Sequence, residues 1–281
     1  MLSIGTGDLR IAIHEPLDGF YRGTRFDRSG VFDSITFGGV EYAGRWFEGD
    51  DPFRHDNVCG PAEEFSVSGF DEAAPGGAFL KIGVGLLVRP DEKDYDRFRL
   101  YDLYDAGEWS VEELKDGVAF RHFLPAWYDY RKEIVCTGND SFEIRHRLDG
   151  LGRSLEGEVY NHNFWTLGRL GVGPGRMLDV PFAPEGNWRA QYDSVALSAS
   201  GLRFSRQIGE GESVFMGDMH AAGSSRTPYE MILREASRGV EITGDTALSR
   251  IVFWANHRVA CPEPYNAFRS PCRWTVRYRL F

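Results

Sequence analysis

Cysteine is scarce in this 281-residue chain, and its four copies are widely spaced. Cys59, Cys136, Cys261 and Cys272 form no C-x-x-C pair and no zinc-like spacing, so reduced thiols are expected. The start, Met1-Leu2-Ser3-Ile4-Gly5, lacks a basic segment followed by a long apolar one, and a cytoplasmic location is the expectation. No apolar run is long enough to span a bilayer, since the most apolar stretch, Ala78 to Val88, is broken by Lys81. Positive charge is in deficit: 32 Lys and Arg stand against 42 Asp and Glu, a formal net charge of −10. That balance argues against nucleic acid or a membrane surface as partner. It also disfavours strongly anionic substrates unless a local basic pocket overrides it. The chain has no G-x-S-x-G, no H-E-x-x-H and no P-loop. Gly171-Val172-Gly173-Pro174-Gly175 lacks the strand-to-helix setting of a nucleotide loop. No cofactor and no metal site are expected.

What is abundant points to strands. Aromatic residues make up 14% of the chain and there are 33 glycines, which suits a sheet-rich, turn-rich protein. Alternating stretches recur from Leu9-Arg10-Ile11-Ala12-Ile13 to Trp274–Phe281, separated by Gly, Asn and Asp turns. Phe20 to Asp27 reads as the entry to a second strand, Phe79 to Val88 as one strand, and Phe98 to Leu148 as a meander. No sustained helical period, repeat or linker interrupts this, so residues 1–281 are expected to form one all-β domain of antiparallel strands.

Two stretches carry chemistry. In Val159-Tyr160-Asn161-His162-Asn163-Phe164-Trp165, period two sets Tyr160, His162 and Phe164 on one face and Asn161, Asn163 and Trp165 on the other. Amides and aromatic rings together suit sugars, whose hydroxyls meet the former and whose C–H faces lie on the latter. In Cys261-Pro262-Glu263-Pro264, each proline extends the residue before it and donates no backbone hydrogen bond. This segment is therefore expected to lie outside the middle of any ladder and to present Glu263 on a stiff support. A His and a rigidly held Glu, among Asn and aromatic residues, fit proton transfer on a polar, uncharged substrate. Lys81, the lone charge in its strand, either snorkels to solvent or faces a cavity. The charged stretch from Trp46 to Phe65 reads as loop, with Glu63 and Glu64 near its end. His146 shares a face with apolar neighbours and reads as a core histidine.

Tyr160-Asn161-His162-Asn163-Phe164-Trp165 resembles the N-H-x-x-F motif of the aldose 1-epimerase (galactose mutarotase) family, and Cys261-Pro262-Glu263-Pro264 resembles its late C-x-E-P segment. The order and the separation of the two motifs agree as well. The resemblance implies an antiparallel β-supersandwich, galactose mutarotase-like, with a cleft for a small-molecule carbohydrate. It also implies a cofactor-independent isomerase that interconverts α and β anomers, with Glu263 as base and His162 as acid. Candidate substrate contacts are Asn161, Asn163, Trp165, Lys81, Glu63, Glu64, Arg25 and Asp218, with Arg54, Asp179 and Asp193 as further options for the binding Arg and Asp. The family's Gly-rich first-histidine segment is replaced here by Asp56-Asn57-Val58-Cys59-Gly60-Pro61-Ala62-Glu63-Glu64-Phe65. A non-catalytic sugar-binding or sensor protein, or another carbohydrate-active enzyme such as a lyase, are the alternatives. The oligomeric state stays open.

Overall fold

The structure, a computed structural model, describes every residue except Leu170 and Ser225. The described residues form 24 strands and no helix. Neighbouring strands pair antiparallel throughout. A ten-stranded sheet runs from Glu108–Leu114 at one edge, through Tyr128–Cys136, Ser141–Asp149 and Cys272–Leu280, to Val195–Ser198 at the other. A six-stranded sheet is ordered Pro184–Ala190, Ser213–Ala221, Arg250–Asn256, Ala260–Arg269, Glu156–Phe164 and Gly60–Phe65. Two four-stranded sheets complete the fold. All four cysteines are free thiols.

The two large sheets pack face to face because each strand between them alternates. The Tyr128–Cys136 strand buries every second residue, and Phe142, Ile144 and Leu148 do the same on the next strand. Phe65 from the six-stranded sheet meets Tyr130 and Trp274 edge-on from the ten-stranded one.

The layer between the sheets is not wholly apolar. Glu63 is fully buried, accepts a hydrogen bond from Lys132 Nζ at 2.5 Å and another from the Asn161 amide at 2.9 Å. His146 Nε2 lies 3.3 Å from the same carboxylate, its ring stacked on Trp274, so this core histidine has an ionic partner. The Tyr130 hydroxyl donates to Asp27, whose carboxylate is also 3.5 Å from Lys132. Burial alone would raise the Glu63 carboxyl, but Lys132 and then His146 outweigh it and hold it down to about 2. Asp27 moves the other way: burial raises it more than Lys132 can lower it, and Glu63 adds repulsion. The turn Ile82-Gly83-Val84 closes over this cluster. Gly83 sits at φ +77°, and a Cβ there would come 2.3 Å from Asp27 Oδ1.

Several expectations about strands need correction. Gly60–Phe65, read as the end of a charged loop, is the edge strand of the six-stranded sheet, and Phe98 to Asp102, read as the start of the meander, lies outside any strand. Phe20 to Asp27 is irregular, because Arg25 turns to the outer face of the six-stranded sheet while Asp27 turns inward. Residues two apart cannot do that in a plain strand, and the segment instead wraps the edge strand, with the Asp27 amide donating to the Glu63 carbonyl. Phe79 to Val88 is a hairpin of two strands, Ala78–Lys81 and Gly85–Val88. Cys261-Pro262-Glu263-Pro264 lies inside the Ala260–Arg269 strand, between two partners, rather than outside a ladder.

Candidate functional site

Those prolines shape the site from within the sheet. Pairing of the Ala260–Arg269 strand with Glu156–Phe164 is continuous from Arg269 to Tyr265, opposite Tyr160, and resumes where Trp165 and Ala260 exchange backbone hydrogen bonds. Between these points Pro262 and Pro264 have no N–H to give. The Asn163 side chain fills part of the gap, donating to the Pro262 carbonyl at 2.7 Å, and its oxygen accepts from the Tyr278 hydroxyl. Register is the same on both sides of the gap, so His162 stands opposite Glu263 and Tyr160 opposite Tyr265. The two tyrosine rings stack at 4.3 Å, and His162 Nε2 lies 3.3 Å from Glu263 Oε1.

This pair sits in the wall of a cleft of about 580 Å³ on the outer face of the six-stranded sheet. Tyr160, Phe215, Trp254 and Tyr265 supply aromatic surface from the sheet, while Trp46, Asp56, Arg25, Arg97 and Phe98 enter from covering segments. Such a cavity is of ordinary size for a small ligand. His162 is clamped by Phe164, stacked at 4.0 Å, and by the edges of Phe26 and Trp254. Its Nδ1 is buried without a partner among the described residues.

Electrostatics set the state of the pair. Burial pushes Glu263 up to about 8, against the opposing pull of Arg25 and Arg97. Burial likewise drives His162 well below its ordinary range, and Arg25 adds to that. Although 3.3 Å is ion-pair distance, both groups are thus driven toward their neutral forms. At neutral pH the pair holds one proton beyond carboxylate and neutral imidazole, and it resides on the carboxyl.

Next to the pair is a second charged group. Glu64 accepts from Arg25 Nε at 2.7 Å and from the Tyr160 hydroxyl, with Arg97 and Lys81 each 3.5 Å away. Burial would raise Glu64, but Lys81, Arg25 and Arg97 hold it down to about 2. Burial brings Lys81 down to about 8 despite Glu64.

The candidates from the sequence separate by face. His162, Glu263 and Arg25 line the cleft. Glu64 lies behind Arg25, and Lys81 lines a smaller adjoining cavity of about 190 Å³ rather than the cleft itself. Asn161, Asn163, Trp165 and Glu63 point away from the cleft into the layer between the sheets, because they occupy the opposite parity of their strands. They hold structure where sugar contacts were expected. Asp218 is half-exposed at a bulge, facing Arg250. Asp179 pairs with Arg203 and Arg234, and Asp193 with Arg206, all away from the cleft. The cleft's aspartate is Asp56, which accepts from Trp46 Nε1 and from Arg54. Arg97 carried no sequence signal, and Phe98 was read only as the start of a meander; both come from the connection between Gly85–Val88 and Leu103–Asp105. Among the described residues, no cluster of three or more His, Cys, Asp or Glu side chains could hold a metal ion.

The architecture matches solved structures over nearly its whole length. It is similar to the Slr1438 protein of Synechocystis sp. PCC 6803, with TM-score 0.56 and 12% identity over 99% of this chain and 94% of that one. A galactose mutarotase-like protein from Clostridium acetobutylicum gives TM-score 0.54 and 12% identity, covering 99% of this chain and 94% of its own. The fold is galactose mutarotase-like. The GalM/aldose epimerase homologue from C. elegans gives 0.53 and 12%, covering 100% and 98%. No protein-family model matches the chain. No curated protein matches it either.

Proposed function

We propose that this protein is a cofactor-independent isomerase of the aldose 1-epimerase type, acting on a small-molecule carbohydrate, and that residues 1–281 work as one domain. The observation that carries this reading is the opposition of His162 and Glu263 at 3.3 Å in an aromatic-walled cleft. Ring opening needs one proton removed from the anomeric hydroxyl and one delivered to the ring oxygen. A pair holding a single shared proton can do both. In the reactive form Glu263 is the carboxylate and His162 the imidazolium. Glu263 takes the anomeric proton, His162 protonates the ring oxygen, and the C1–O5 bond breaks. Rotation about C1–C2 and closure on the other carbonyl face, with both protons returned, yields the other anomer. Neither group is consumed.

The shared proton predicts a pH profile. Loss of that proton occurs near pH 8, and gain of a second lies well below 6.5 because His162 resists charging. The rate kcat/KM is therefore expected to be flat through neutral pH and to fall about tenfold per unit above pH 8. Lys81 titrates in the same range but lies outside the cleft, so the alkaline limb should persist in Lys81→Met. Polarimetry of freshly dissolved α and β sugars tests the reading directly. Exchange no faster than in heat-killed protein, for sugars that calorimetry finds bound, turns the reading to a non-catalytic sugar-binding protein.

A further inference from the structure

The cleft is basic on one side although the chain is acidic. Arg25 and Arg97 on that side, with Lys81 reaching in from the smaller adjoining cavity, surround a single carboxylate, Glu64. Of the two acids that line the cleft itself, Glu263 faces His162, and Asp56 is already engaged by Arg54 and Trp46. Arg25 is buried, its guanidinium 4.5 Å from the centroid of Phe26 and 5.2 Å from that of Phe98. It uses Nε on Glu64 and Nη2 on the Tyr160 hydroxyl, and Nη1 makes no hydrogen bond among the described residues. Arg97 Nη1 reaches the same hydroxyl at 3.3 Å, and its side chain is 41% exposed. Two guanidinium groups thus converge on the Tyr160 hydroxyl, and the Tyr160 ring is the next side chain on the same face of the strand as His162, 6.1 Å away between centroids. A guanidinium offers five N–H donors and no acceptor, in a geometry that matches carboxylate or phosphate oxygens bidentately. Neutral hydroxyls could accept those bonds but would leave the excess charge uncompensated in a largely buried wall.

We propose that the sugar taken by this cleft carries an anionic substituent, a carboxylate or a phosphate, held by Arg25 and Arg97 beside His162 and Glu263. This rests on the cleft being a sugar site. The negative charge of the whole chain, which disfavours anionic substrates at long range, is overridden locally by these side chains.

The test compares sugars that differ at one substituent, which is either neutral or anionic. Glucuronate, galacturonate and glucose 6-phosphate are titrated against glucose and galactose by calorimetry, and all are followed by polarimetry. An anionic sugar is expected to bind at least about tenfold tighter than its neutral parent at low salt, with the preference shrinking as NaCl rises to about 0.5 M. The uronates and the phosphate ester distinguish the two substituents. Arg97→Gln, on a half-exposed connection, is expected to narrow the preference about tenfold. Equal affinity for neutral and anionic sugars, or a preference insensitive to both salt and Arg97→Gln, overturns the inference. Accelerated exchange of neutral sugars without charge preference overturns it and leaves the isomerase reading standing. Anionic preference without exchange of any sugar upholds it and removes the isomerase reading.

Discussion

Glu263→Gln is expected to slow anomer exchange by about 10²–10⁴-fold while leaving the protein folded. The amide keeps the shape of the carboxyl but cannot accept the anomeric proton. It also removes no charge that the fold depends on, since burial already favours the protonated carboxyl at neutral pH. Linkage makes this second point measurable. A carboxyl raised in the folded state to about 8, from an ordinary 4.5, binds more protons folded than unfolded between those values. Wild-type stability should then fall as pH rises from about 4.5 to 8, and the variant should lack that component. His162→Asn is expected to slow exchange similarly, because the ring oxygen loses its donor. If the two act in one proton-transfer sequence, the double variant should be little slower than the slower single one. Polarimetry beside calorimetric affinity separates the cases. Exchange untouched by Glu263→Gln would remove that residue from the mechanism.

Lys132→Met should destabilise the protein by about 3–5 kcal/mol, the usual cost of removing one partner from a buried ionic group. Glu63 would keep His146 and Asn161, and Asp27 would keep Tyr130, but the formal charge between the sheets would lose its main counterion. Denaturant unfolding at neutral pH measures the loss. Adding Glu63→Gln should recover part of it, since the uncompensated carboxylate goes with it. A loss below about 1 kcal/mol would mean that the carboxyls neutralise instead, with Asp27, already raised by burial, taking the proton. In the intact protein the same carboxylate predicts acid lability. Glu63 is lowered to about 2, so its contribution is present above its ordinary 4.5 and is lost as pH falls through 2.

Period-two alternation, with short turns and no helical period between the stretches, determined that the chain is antiparallel sheet, and alternation alone that His162 shares a face with Tyr160 and Phe164 rather than with Asn161 and Asn163. Parity of this kind is local, because successive side chains of a strand must point to opposite sides. It says nothing about which side will be the cleft. Amides beside rings suggested sugar contacts, yet Asn163 supports the interrupted ladder and Asn161 binds Glu63, each because the face it occupies is closed by the second sheet. Glu63 and Glu64 were likewise adjacent in a stretch rich in turn residues, and only pairing with Glu156–Phe164 made them strand and sent them to opposite layers. The proline-flanked Glu263 was legible as a rigid residue but not as a sheet residue. Its place in the ladder depends on a register set by Tyr160 with Tyr265 and by Trp165 with Ala260, around a hundred residues apart in the chain. Arg97 lay beyond sequence reasoning altogether: a charged residue in a connection has no period, and its place over Tyr160 comes from how that connection folds across the sheet. Alternation is written residue by residue, whereas the cleft, its charge and the opposition of His162 and Glu263 arise from strands that meet only when the sheets close.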